Sequence, residues 1–191
     1  MLFYILIFLI ETCEKMFFKL TDIEEIDLSN FDFSGIRSIN NMFHNCTSLK
    51  KVGFGNINTS SLSYMEYLFT GCTNLGSIDL SKFDTSRVTS FYCIFNECIN
   101  IKKIDLGNID TSSVTNFGGL FRHCEKIKFI DISNFNTSSS TNMCYLFLID
   151  LIPEKSKLDK SISSMSVNLK NIFSQVSIIK LKYKTTLFKP L

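Results

Sequence analysis

The apolar positions of this chain recur with a period of 26 residues, and most of its other regularities follow from that period. Segments beginning at Ile26, Val52, Ile78, Ile104 and Ile130 align without a gap. Leu28, Phe54, Leu80, Leu106 and Ile132 share a column, as do Phe31, Ile57, Phe83, Ile109 and Phe135. Ile39, Met65, Phe91, Phe117 and Met143 form another, followed by Met42, Leu68, Ile94, Leu120 and Leu146. Phe43, Phe69, Phe95, Phe121 and Phe147 are identical in every copy. Cys46, Cys72, Cys98 and Cys124 align next, and Leu49, Leu75, Ile101 and Ile127 close the unit.

Two shorter rhythms run inside each unit. The Ile78-Asp79-Leu80 step alternates apolar and polar, which predicts a short strand with one buried face. Between Val88 and Ile101 the apolar residues fall at 88, 91, 94, 95, 98 and 101, a spacing that predicts a helix or 3₁₀ segment. Phe83-Asp84-Thr85-Ser86 lies between them; its short polar side chains bond nearby backbone N–H groups and turn the chain. One unit cannot bury its own inward face, so copies must stack. The predicted fold is an α/β solenoid of strand–turn–helix or 3₁₀ units, with a parallel sheet on one face.

The frame extends past the clear copies. Met16, Phe17 and Ile23 fall in the columns of Met42, Phe43 and Leu49; Leu158, Leu169, Ile172, Phe173, Val176 and Ile179 also fall in frame. We therefore expect one repeat domain over 1–191. Residues 1–25 form a degraded half repeat, cap or signal-like start, 26–152 hold five clear repeats, and 153–191 form a degraded repeat and cap. The first ten residues, MLFYILIFLI, resemble the apolar part of a signal peptide but lack a positively charged start.

Composition narrows the function. Hydrophobic residues make up 45%, enough for a real core, and the net charge of +2 offers no concentrated basic face for nucleic acid. No apolar run reaches the roughly 18 residues of a membrane span. The seven Cys are an odd number and none forms a C-x-x-C pair, so neither a complete disulfide framework nor a zinc ribbon is expected. His44 and His123 share no column, stand near no nucleophile and are expected to face solvent. No catalytic residues, cofactor or metal site are predicted, and nothing fixes an oligomeric state.

Candidate site residues come from the columns. Asp27, Asp79, Asp105 and Asp131 point outward between inward residues, with Gly53 interrupting them. They are read either as a polar strip for a basic partner or a cation, or as a solvated sheet face offset by Lys51 and Lys103. The Cys column is read as a ladder buried beside the Phe column, although neighbouring coils would also bring thiols near disulfide range. Asp32, Asp84 and Asp110 are expected to cap turns, since the spacing of a calcium loop is missing. Asn45, Asn58 and Asn136 begin N-x-S/T triplets, two of them simply where Asn replaces the turn Asp.

The unit Leu-Phe-x-x-Cys-x-x-Leu-x-x-Ile-Asp-Leu-Ser-x-Phe-Asp-Thr-Ser resembles the BspA-like leucine-rich-repeat surface proteins of the Treponema type. The resemblance is good over about 13–152 and weaker over 153–180. It implies export or surface display, with adhesion or host-protein binding in some members, and brings no catalytic residues. The expected function is therefore non-catalytic adhesion, or protein or glycan binding, through the strand face of a surface or secreted protein. An intracellular interaction scaffold and a fragment of a longer array are the alternatives.

Overall fold

In the computed structural model, which describes residues 11–127 and 130–147, successive 26-residue units stack as coils in one register. The strands are three residues long: β1 Glu25–Asp27, β2 Lys51–Gly53, β3 Ser77–Asp79 and β4 Lys103–Asp105. β1 pairs parallel with β2, placing Ile26 opposite Val52, and β3 pairs parallel with β4, placing Ile78 opposite Ile104. The central residue of each strand is buried and its neighbours face outward, the period-two pattern seen in the sequence.

The opposite side of each coil corrects the α/β expectation. No helix forms among the described residues; the stretch read as helical is a run of tight turns. The backbone bonds explain why. Between residues 39 and 45, alternate N–H groups leave their own coil: those of Ile39, Asn41, Phe43 and Asn45 donate to the carbonyls of Tyr64, Glu66, Leu68 and Thr70. The intervening N–H groups of Met42, His44 and Cys46 donate three residues back, to Ile39, Asn41 and Phe43. With half of its donors committed to the next coil, the segment cannot close the four-residue ladder of an α-helix. Positive φ at Asn41 and Asn45, repeated at Tyr67 and Gly71, Cys93 and Glu97, and Gly119 and His123, interrupts any helical run and matches what type II turns require at their third residue.

The expected continuous sheet is also replaced, among the described residues, by two separate two-stranded sheets. The break between β2 and β3 falls at glycines: Gly53 ends β2 and Gly76 precedes β3. Glycine brings no side chain to pack across a strand pair and weakens the pairing. The turn wall, by contrast, is bonded across every coil junction. Isolated parallel bridges link Thr12 to Ser38, Ser38 to Tyr64, Ser90 to Asn116 and Asn116 to Asn142, each a full repeat apart, and where no bridge joins Tyr64 to Ser90 the N–H groups of Tyr67, Phe69 and Gly71 donate to the carbonyls of Tyr92, Ile94 and Asn96. The architecture is a helix-free stack of turn-rich coils.

One core runs through all the coils. Ile39, Met42, Phe43, Cys46 and Leu49 are fully buried, and their counterparts in later coils join the same cluster. A second internal line is polar. Thr59, Thr85, Thr111 and Thr137 are buried, and the hydroxyls of Thr59, Thr85 and Thr111 donate to the carbonyls of Asp84, Asp110 and Asn136 in the following coil. The Thr59 and Thr111 hydroxyls also accept the N–H of Asp84 and Asn136. The hydroxyls of Thr59, Thr85 and Thr111 thereby satisfy backbone groups that the turn leaves without a ladder partner.

Candidate functional site

The structure places the sequence-derived residues on three sides of the coil. On the strand side, Asp27, Asp79 and Asp131 are exposed and Asp105 is half-buried. Their carboxylates are engaged locally: Oδ1 of Asp27, Asp79, Asp105 and Asp131 accepts the N–H of Ser29, Ser81, Gly107 and Ser133. Hydrogen bonds from these serines hold the carboxyls of Asp27, Asp79 and Asp131 below the usual carboxylate range. Lys103 approaches Asp105 at 3.6 Å, while Lys51 stands opposite Glu25 across the strand pair. The second acidic line behaves alike: Asp32, Asp84 and Asp110 accept from Ser34, Ser86 and Ser112, and Asn58 and Asn136 from Ser60 and Ser138.

Inside the coil, the Phe rings form a column. Phe17, Phe43, Phe69, Phe95, Phe121 and Phe147 stack with centroids 5.1–5.8 Å apart, their planes within 20° of parallel. The Cys column lies beside it, buried, with every thiol free. Each thiol donates backward to a Phe carbonyl of the preceding coil: Cys46 to Phe17, Cys72 to Phe43, Cys98 to Phe69 and Cys124 to Phe95, at 2.8–3.1 Å. Burial pushes these thiols up, Cys124 to about 12, so they stay protonated and unreactive.

The third side, the turn wall, holds residues the sequence reading did not single out. Tyr64, Tyr67, Tyr92 and Tyr145 are all the tyrosines of the described residues, and all lie on this wall. Tyr64 and Tyr145 are more than half exposed. Tyr67 and Tyr92 meet edge to face at 5.1 Å, and His44 stacks on Tyr67 at 6.0 Å. Desolvation, then the neighbouring Tyr92, pushes the Tyr67 hydroxyl up to about 12. His44 is half-buried, as is His123; the Nδ1 of His44 lies 2.8 Å from Asn41 Oδ1, and burial lowers its pKa. The missed signal was available in the columns. These tyrosines occupy positions where other copies carry Ser, Thr, Asn, Glu, Lys, Gly or Cys, so identity changes from coil to coil beside an interior that stays apolar.

Among the described residues no group of three metal-ligating side chains comes together, and no helix is long and apolar enough to cross a membrane. The signal-like first ten residues and the C-terminal repeat and cap fall outside the described residues. No curated protein matches the chain, and no solved structure does. One family model matches twice, over residues 11–128 and 91–180, ranges that together take in all five coils with their Phe and Cys columns. The chain therefore belongs to the family described as Mycoplasma protein of unknown function, DUF285.

Proposed function

We propose that this protein is a non-catalytic binding module that holds a macromolecular partner against its turn wall, at a cell surface. The observation that carries this is the segregation of tyrosine. Every tyrosine of the described residues stands on one wall, in columns that vary, above an interior built from repeated Phe and Cys. Tyrosine gives large, rigid contact area with a polar tip, which is why it dominates recognition surfaces. The strand side offers less, because its carboxylates are tied into turns and its lysines lie near carboxylates. The likeness to BspA-like surface proteins supports the surface assignment.

The test is capture of immobilised extracellular-matrix proteins by the full chain. Tyr64→Ala with Tyr145→Ala should lower capture at least tenfold, and Asp79→Asn with Asp105→Asn should leave it unchanged. If the aspartate pair abolishes capture while the tyrosine pair does not, binding belongs to the strand face. If wild type captures nothing, the binding assignment falls. Imaging the tagged chain with and without residues 1–12 separates surface display from an intracellular scaffold.

A further inference from the structure

We infer that the turn side of the first described coil is a docking surface for a second copy of this chain, joined head to tail. Within the stack, the turn-segment carbonyls of each coil accept from N–H groups of the coil before it. Those of Ser38, Asn40, Met42 and His44 accept from Cys13, Lys15, Phe17 and Lys19. Those of Tyr64, Glu66, Leu68 and Thr70 accept from Ile39, Asn41, Phe43 and Asn45. The matching carbonyls of the first coil belong to Thr12, Glu14, Met16 and Phe18. Among the described residues, none of these accepts a backbone hydrogen bond. A row of acceptors thus stands at this end in the spacing that the chain's own coils satisfy.

The apolar surface there is unfinished in the same way. Phe17 heads the ring column, stacked on Phe43 at 5.4 Å with the planes 5° apart. It is half-buried, whereas Phe43, with a ring on either side, is fully buried. Met16 is 41% exposed, although its counterparts in the next two coils, Met42 and Leu68, are fully buried. Leu20 is 39% exposed. A coil that caps a solenoid turns a polar face outward; this one turns out a row of free carbonyls beside apolar side chains, which is a template for pairing. Lys15 and Lys19 do not cover it, since their ammoniums lie over the Phe18 ring, 5.9 and 5.1 Å from its centroid.

The direction of the bonds selects the occupant. Two copies meeting first coil to first coil would set carbonyl against carbonyl, and no bond would form along this row. The surface needs N–H groups at alternate residues and an aromatic side chain to continue the ring column. That is the face each coil of this chain turns toward the next: Phe117, Gly119 and Phe121 present it to Asn142, Cys144 and Leu146. A second copy docking by its opposite end therefore continues the junction already repeated through the stack. Such a contact uses different surfaces on the two copies, so it adds copy after copy instead of closing at a dimer.

The experiment follows the mass of the full chain by sedimentation velocity as its concentration is raised. Lysine cross-linking of a mixture of isotope-labelled and unlabelled chain reports which ends meet. Wild type should grow past the dimer without a plateau, and its intermolecular cross-links should join Lys15 or Lys19 to lysines beyond residue 147. Met16→Lys with Leu20→Lys should weaken association at least about tenfold with the thermal midpoint unchanged, because both side chains are already exposed. Asp79→Asn should associate as wild type. A plateau at the dimer with cross-links between first coils, or equal association by the lysine pair, overturns the head-to-tail contact. Wild type that stays monomeric at every concentration also overturns it; if the lysine pair then lowers capture of matrix proteins, the surface belongs to a foreign protein.

Discussion

The two long sides of the coil solve the same problem with different success. On the strand side, pairing spans three residues and stops between β2 and β3. On the turn side, backbone bonds cross the coil junctions from Cys13 to Leu146 at nearly every alternate residue. The side that looked helical is the one that ties the stack together, and the side that looked like a sheet is the interrupted one. Cohesion between coils thus does not require extended strands; it requires N–H and C=O groups aimed along the stack, and consecutive turns provide them.

The comparison breaks most visibly through the interior of the turn side. Phe69→Ala, at the middle of the ring column and fully buried, should destabilise the protein by about 3–5 kcal/mol, read as the shift in urea unfolding. A matching loss from Ile78→Ala, on the strand side, would mean the two sides contribute alike. Gly107→Ala should cost about 2 kcal/mol or more, because its φ is +51° and a Cβ would lie 2.7 Å from the Ser81 Cα. Thr111→Val keeps the shape but leaves both backbone groups of Asn136 without the hydroxyl, for a loss of about 1–3 kcal/mol.

Hydrogen exchange sharpens the contrast without any substitution. The amides of Phe43, Phe69 and Phe95 should exchange slowest, and those near the β2–β3 break fastest; the reverse order would make the strands the anchor. The smallest effect is acidic. The carboxyls of Asp27, Asp32, Asp79, Asp110 and Asp131 are held below their unfolded value by hydrogen bonds from the following serines. Their contribution is present above an unfolded pKa of about 3.9 and disappears as pH falls through the lower folded values. Stability should therefore decline below about pH 4, and alanine at Asp27 and Asp131 should flatten that decline.

The inward columns are legible in sequence because a repeated position meets the same neighbours in every coil. Phe43 stacks on Phe17 and Phe69 for the reason that Phe95 stacks on Phe69 and Phe121. The turn wall is not legible from apolar spacing alone. Bonds from residue 42 to 39, 46 to 43 and 49 to 46 return an apolar side chain to the interior every three or four residues, the same signature a helix leaves. The discriminating residues are Asn41, Asn45, Gly71 and Gly119, which tolerate positive φ and sit where a helix would place none. The tyrosine wall escaped because recurrence draws the eye to positions that repeat, whereas these outward positions differ between copies.

Over residues 39–45 and their counterparts the coil-to-coil bonds share one direction, whereas at the flanking bridges Arg37, Ser63, Thr115 and Thr141 donate to the preceding coil, and the shared direction has an electrostatic consequence. In each coil the peptide units joining residues such as Asn40 to Asn41 and Met42 to Phe43 present N–H toward the next coil and C=O toward the previous one. Their dipoles, about 3.5 D each, add along the stack instead of cancelling as they do between ordinary strands. These turn segments are thus polarised along the stack, negative toward the first coil and positive toward the last. Lys15 and Lys19, in the first described coil, place their charges where that field favours cations.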